Sequence, residues 1–256
     1  MSEPDRITAG GIALEVVRRG AGPPLLFLHG MQTVDAHAPF LDRLGVHAAV
    51  IAPSCPGFGR SPRPAEFDTV YDLVRLQLDL IDALPAPPVL IGHSFGGWLA
   101  AEVAVAAPKR IAKLVLVDAF GIKISDRETA DILDVFNTAP AEVRRRTWHD
   151  PAKAPSFDGM TDDAIAAHAR SWEALCLYGW KPYMYNPQLK RWLRRITVPT
   201  LVLWGEHDGI VSPTYGHAYA ELIPGARFST IAGAGHAPHL EQPDAFADAV
   251  LGFLER

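Results

Sequence analysis

Residues Val89 to Trp98 read Val-Leu-Ile-Gly-His-Ser-Phe-Gly-Gly-Trp. The short apolar run Val89 to Ile91 is the pattern of a buried strand. Gly92-His93-Ser94-Phe95-Gly96 follows, a G-x-S-x-G pentapeptide, and Trp98 to Ala106 then reads as an alanine-rich helix. Strand, tight turn with serine at its apex, then helix is a demanding arrangement. The turn holds the serine in a strained conformation, and side chains at the flanking positions would strike the strand or helix beside it. Such a turn lifts the Ser94 hydroxyl clear of the sheet and aims the first amides of the helix, at its positive dipole end, at the same point. The pentapeptide alone also occurs in ordinary glycine-rich turns, so its meaning rests on the rest of the chain.

Along the chain, apolar runs alternate with helical patterns. Ile7 to Ala9 and Ile12 to Arg18 flank Gly10-Gly11 and predict a β-hairpin. Leu25 to Leu28, Ala48 to Ala52, Leu114 to Val117, Thr200 to Trp204 and Arg227 to Ile231 read as further strands. Between them, a short helix fits Phe40 to Leu44. Val70 to Leu84 carries apolar residues at helical spacing, and Pro213 to Ile223 and Pro243 to Leu254 are helical, the last with Phe246, Val250 and Leu254 on one face. Continuous apolar strands separated by helices predict an α/β fold with a doubly wound, mostly parallel sheet and one antiparallel strand contributed by the hairpin. The alternation stops from about Phe120 to Arg195. Ten of the chain's 23 aromatic residues lie in that stretch. It is expected to be a helical insertion (residues 120–195) in a core formed by 1–119 and 196–256, lying over the face where such sheets bind ligands.

Composition narrows the function. A net charge of −5 gives no basic footprint for nucleic acid or an anionic membrane. No run approaches the roughly 18 apolar residues of a membrane span, and the polar start lacks the apolar core of a secretory signal. Cys55 and Cys176 cannot build a disulfide framework and are expected to be reduced thiols, so a cytoplasmic protein is expected.

A serine hydroxyl needs a base to take its proton and a carboxylate to orient that base. The candidates must sit on loops after strands, where Ser94 sits. His236 lies in the small-residue loop after the last strand and Asp208 after the strand before it. The order Ser94, Asp208, His236 suits a serine of this kind of turn. Asp118 also follows a strand and is the other candidate acid. His207 and His239 read as polar loop residues, and His93 as a non-catalytic position. No H-E-x-x-H pattern or close ligand cluster points to a metal, and Gly57-x-Gly59 lacks the third glycine of a nucleotide fingerprint. No metal and no cofactor are expected.

With these residues in place, the chain resembles the α/β-hydrolase superfamily over nearly its whole length. The match is carried by Leu28-His29-Gly30, Pro56-Gly57-Phe58-Gly59-Arg60-Ser61, Gly92 to Gly97, Trp204-Gly205-Glu206-His207-Asp208 and Gly235-His236 with Glu241-Gln242-Pro243. The resemblance implies the α/β-hydrolase fold with a helical cap, Ser94 as nucleophile, His236 as general base and then acid, and Asp208 as orienting acid. It also implies an oxyanion hole made by the backbone N–H groups of Met31 and Phe95. Serine at the turn excludes the dehalogenases and epoxide hydrolases of this fold, which use aspartate there.

The expected substrate is a small or medium, rather apolar carboxylic ester. His29, Trp148, Trp172, Trp180 and Tyr183 are candidates to line its pocket. The alternative is a C–C bond hydrolase acting on a vinylogous diketone. Enzymes of that kind usually carry tryptophan directly after the catalytic histidine and a cap arginine for the substrate carboxylate. Here Ala237 follows His236, and none of Arg144, Arg145, Arg146, Arg170, Arg191, Arg194 and Arg195 can be matched to that role from sequence. A reading of another class is a non-catalytic small-ligand receptor on the same fold. The expected partner is a small molecule, with no nucleic acid or membrane; the sequence leaves the oligomeric state open.

Overall fold

The computed structural model describes residues 5–255. Its strands are β1 (Arg6–Ala9), β2 (Ile12–Arg19), β3 (Pro24–Leu28), β4 (Ala49–Pro53), β5 (Val89–His93), β6 (Lys113–Val117), β7 (Thr200–Gly205) and β8 (Arg227–Ile231). They form one sheet of eight strands in the order β1-β2-β4-β3-β5-β6-β7-β8. The hairpin pairs Ala9 with Ile12, and β2 runs antiparallel to both of its neighbours. From β4 to β8 all pairing is parallel.

The central parallel strands are apolar at almost every position because both faces of the sheet are covered there, whereas the edge strand β8 (Arg-Phe-Ser-Thr-Ile) is largely exposed. Leu26, Leu28, Leu90, Leu114, Leu116, Val202 and Trp204 face one layer, built on α2 (Val70–Asp82), α3 (Phe95–Ala106) and α7 (Pro213–Glu221). Their neighbours Leu25, Phe27, Ile91, Val115, Val117, Leu201 and Leu203 face the other, built on α1 (Pro39–Gly45) and α9 (Pro243–Leu254). Alternate residues of one strand thus serve two separate cores, the period-two rule of a pleated strand. On α9 the buried stripe is Phe246, Val250 and Phe253 rather than Leu254, since positions four and seven along from Phe246 return to the same helix face.

The helices start where local chemistry favours it. At α2, Thr69 accepts the Asp72 N–H through its hydroxyl at 3.3 Å, and the Asp72 carboxylate accepts the Thr69 N–H at 3.0 Å. This reciprocal cap satisfies two amides that the helix leaves unpaired. The helix ends at Asp82, before the proline-rich stretch Pro85 to Pro88. α3 differs. It starts at Phe95, directly after Ser94 and three residues earlier than the alanine pattern indicates. It is buried almost throughout, lying between the sheet and residues 120–195.

The chain leaves β3 through α1 to reach β4, then crosses back through α2 to β5. The winding therefore reverses between the adjacent strands β3 and β5, and open α/β sheets bind ligands at the carboxyl ends of such a pair. Met31 follows β3 and Ser94 follows β5, so the turn described from sequence stands at this switch point.

Residues 120–195 contain α4 (Pro140–Thr147), α5 (Asp162–Gly179) and α6 (Leu189–Trp192), and none of the sheet strands. The segment begins and returns at one place. Gly121 donates to the Met184 carbonyl at 3.0 Å, and Asn186 donates to the Gly121 carbonyl at 2.9 Å. No helix among the described residues is long and apolar enough to cross a membrane.

The approach of α3 to β3 leaves no room for a side chain at Gly96. A Cβ there would lie 2.2 Å from the Leu28 carbonyl oxygen and 2.4 Å from that of His29, both backbone atoms that cannot swing away. Gly96→Ala is expected to cost about 3 kcal/mol or more. Thermal unfolding of the variant beside wild type measures the loss.

Candidate active site

Ser94 occupies the apex of the turn between β5 and α3 with φ 55° and ψ −117°, a conformation that a non-glycine residue adopts only under constraint. Two bonds hold it. The Ser94 N–H donates to the Val117 carbonyl at 2.8 Å, and the Ser94 carbonyl accepts from Phe120 at 3.1 Å. The flanking glycines are required sterically. A Cβ on Gly92 would meet the Gly96 carbonyl oxygen at 2.2 Å, and one on Gly97 would meet the Ala119 Cβ at 2.5 Å.

The three residues singled out by their positions after strands converge. His236 Nδ1 lies 2.8 Å from Asp208 Oδ2, and His236 Nε2 lies 2.9 Å from Ser94 Oγ. A carboxylate can only accept, so Nδ1 carries the ring proton and Nε2 offers its lone pair to the Ser94 hydroxyl. Asp208 Oδ1 accepts the N–H groups of Ile210 and Val211 at 2.8 and 3.1 Å. All three side chains are buried. Such an arrangement can draw a proton from Ser94 as its oxygen attacks a carbonyl.

The Phe95 amide opens α3, and the Met31 amide lies on the neighbouring loop after β3. A Cβ on Gly30 would touch the Ser94 Cβ at 3.0 Å, which measures how close that loop runs. Among the described residues, neither the Met31 nor the Phe95 N–H donates to another protein group. Two unengaged amides beside a serine hydroxyl can stabilise an oxyanion.

Residues 120–195 are bound to the loops that carry His236 and Asp208. The His236 N–H donates to the Thr147 carbonyl at 2.7 Å, and the Gly209 N–H donates to the Arg146 carbonyl at 3.1 Å. Both acceptors are at the C-terminal end of α4, where carbonyls have no partner within the helix. Phe120 stacks on the His236 ring with centroids 5.3 Å apart. Neither contact has a sequence signature: a backbone carbonyl is residue-independent, and Phe120 is one aromatic among many.

The residues expected to line a pocket are spread more widely than the sequence suggests. Trp172, Trp180 and Tyr183 gather around Phe136, with centroid distances of 5.3, 5.8 and 6.0 Å. Trp180 is 57% exposed and borders a shallow outer groove with Cys176 and Leu177, so it belongs to the surface of the segment. Tyr183 is half-buried, and its hydroxyl donates to Leu133 and accepts from Val135. Trp148 is half-buried at the end of α4. His29 has both ring nitrogens occupied. Nε2 accepts the Cys55 N–H at 2.9 Å and Nδ1 donates to the Gly30 carbonyl at 2.7 Å. It braces the loop that carries Met31 and has no polar atom left for a ligand. The eight arginines of 120–195, Arg127 included, are all exposed. Cys55 is buried, which pushes its thiol up to about 12, so it is unreactive at neutral pH.

Three further histidines are buried near His236 or the loop before it. His93 donates from Nε2 to the His236 carbonyl at 2.6 Å, fixing the loop from behind. His239 is not the polar loop residue that its neighbourhood in sequence indicates. It packs among Phe27, Phe40 and Phe246, and its Nδ1 has no partner. Burial lowers His29 to about 4 and His239 to about 3, and it lowers His93 well below the ordinary value, helped by His239 and His236. All three are neutral at pH 7.

Residues 25–249 match the model of the alpha/beta hydrolase family. The 2-hydroxymuconate semialdehyde hydrolase of Pseudomonas sp. strain CF600 is 30% identical, over 97% of this chain and 92% of that protein. A meta-cleavage product hydrolase from Pseudomonas fluorescens IP01 superposes with a TM-score of 0.79 at 23% identity, over 98% of this chain and 97% of that one. A bacterial membrane phospholipase A superposes with a TM-score of 0.79 at 21% identity, over 98% and 85%.

The buried histidines set an acid limit to stability. The fold disfavours their charged forms, whereas the unfolded chain titrates them near 6.5. Between 6.5 and the lowered values of about 4 and 3 the unfolded chain binds more protons, so stability is full above that window and falls as pH drops through it. Tm is expected to decline from pH 6.5 to 4, and His239→Phe, which suits its aromatic surroundings, is expected to make the slope of Tm against pH shallower. Scanning calorimetry across that range checks both.

Proposed function

The chain belongs to the alpha/beta hydrolase family, and we propose that it cleaves a C–C bond beside the ketone of a vinylogous diketone, with Ser94, His236 and Asp208 as its catalytic triad. What carries the reading is the full-length likeness to the 2-hydroxymuconate semialdehyde hydrolase of Pseudomonas, added to a Ser94 hydroxyl already hydrogen-bonded to His236.

Ser94 Oγ adds to the ketone as its proton passes to His236 Nε2. The new oxyanion is held by the N–H groups of Phe95 and Met31, where losing one such donor typically costs about 100- to 1,000-fold in rate. Collapse breaks the C–C bond, and its electrons pass into the conjugated ketone of the leaving fragment. His236 returns the proton to that fragment. Water, deprotonated by His236, then releases the acid from Ser94. Asp208 keeps Nδ1 protonated and facing it throughout. Residues 120–195 act as a cap, fixed to the catalytic loops through Thr147 and Arg146.

A second reading, hydrolysis of a neutral, apolar carboxylic ester, uses the same steps with an alcohol as the leaving group. Two observations favour it. Ala237 stands where C–C hydrolases usually carry tryptophan, and every arginine of 120–195 is exposed, so none is placed within a closed site to pair with a substrate carboxylate.

A direct comparison separates the two. Wild type and Ser94→Ala are assayed on 2-hydroxy-6-oxo-6-phenylhexa-2,4-dienoate, which becomes the vinylogous diketone by tautomerising, and on p-nitrophenyl esters from acetyl to long acyl chains. Expected is Ser94-dependent cleavage of the dienoate with kcat/KM above that for any ester, and loss of at least about 1,000-fold in Ser94→Ala with an unchanged Tm. Ester cleavage alone favours the second reading. Turnover retained by Ser94→Ala contradicts both.

A further inference from the structure

Behind the Asp208–His236 pair lies a second carboxyl group with no role in the steps above. Asp118 follows β6, is fully buried, and takes the left-handed φ of 45°. Its Oδ1 accepts the Gly205 N–H at 2.8 Å, while its Oδ2 is buried with no partner. Polar atoms of Asp118, Asp208 and His236 lie within 4.8 Å of one another.

Two buried carboxyl groups this close do not both carry a charge. The donors decide which one does. Asp208 receives two amide N–H groups and the His236 ring N–H. Asp118 receives a single amide, and the remaining charged neighbour is another acid, Glu241, whose Oε2 accepts the Gly235 N–H. The proton therefore resides on Asp118. A protonated Oδ2 needs an acceptor, and Asp208 Oδ2, with only one bond from His236, has a lone pair free.

We infer that Asp118 is a positioning residue of the triad: as a neutral carboxylic acid it donates a hydrogen bond to Asp208, so that the acid orienting His236 is gripped by three donors besides the imidazole. Burial first and the charge of Asp208 second hold the Asp118 carboxyl well above the usual carboxylate range, in agreement with this geometry. The left-handed backbone adds a constraint, since it is a conformation in which aspartate and asparagine are favoured among residues other than glycine. The inference rests on the proposed role of Asp208 and His236.

Asp118→Asn and Asp118→Ala divide the alternatives. Asparagine can accept from Gly205 and donate to Asp208, and it suits the backbone; alanine can do neither. On p-nitrophenyl acetate, Asp118→Ala is expected to lower kcat about tenfold or more with KM little changed. Asp118→Asn is expected to rescue most of that loss, with the acid limb of its kcat/KM profile superposing on that of wild type. Infrared difference spectra at neutral pH are expected to show a protonated-carboxyl band in wild type that is missing from Asp118→Asn. An acid limb shifted down by a unit or more in Asp118→Asn would mean that an anion had been removed, and it overturns the inference. So does a wild-type kcat in Asp118→Ala, or the absence of the band. The band needs no substrate: its presence in a protein whose Ser94 proves inert sinks the hydrolase reading and leaves the Asp118–Asp208 bond standing.

Discussion

The close approach of α3 to the carboxyl ends of β3 and β5 is the constraint on which the rest of the structure depends. It requires glycine at 92, 96 and 97, where any Cβ would enter a neighbouring backbone or side chain. It forces Ser94 into a left-handed conformation and starts the helix at the next residue. One helix N-terminus, one hydroxyl and two unengaged amides are thereby concentrated at the point where the sheet reverses its winding. The strain at Ser94 is sustained by a helix buried almost throughout and by hydrogen bonds to Val117 and Phe120.

Electrostatics around this point follow from burial. Neutral histidines brace the loops from behind, His29 beneath Met31 and His93 beneath His236, and three buried carboxyl groups lie beside the loop of His236. Those carboxyls are separated in task by their donors: Asp208 faces the imidazole, Asp118 stands behind it, and Glu241 holds the amides of Gly235 and Asp150. Glu241 thus links the loop of His236 to residues 120–195. The end of α4 does the same through two backbone carbonyls, which tie residues 120–195 to the loops of His236 and Asp208.

Most of the scaffold was legible in the sequence because it is written in local patterns. A strand covered on both faces is apolar at each position, and Leu25 to Leu28 or Leu114 to Val117 can be read directly. The positions of Ser94, Asp208 and His236 were legible for a related reason, since each lies on a loop that follows a strand. What sequence could not supply was distance across the sheet. Asp118 was visible as a rival acid, yet its place beside Asp208 depends on β6 lying between β5 and β7. The burial of His239 comes from Phe27, Phe40 and Phe246, remote in sequence. Trp180 has the composition of a pocket residue and lies at the surface, because α5 turns it outward and no local pattern records that. The contact from Thr147 has no residue preference at all.

The central claim is covalent chemistry at Ser94. The most direct measurement is intact-mass and peptide mass spectrometry of the protein quenched within the first turnover on p-nitrophenyl acetate. A single acetyl group is expected on the peptide that contains Ser94, and none in Ser94→Ala. Release of p-nitrophenol with no acetyl at Ser94, or with the acetyl on another residue, would contradict it.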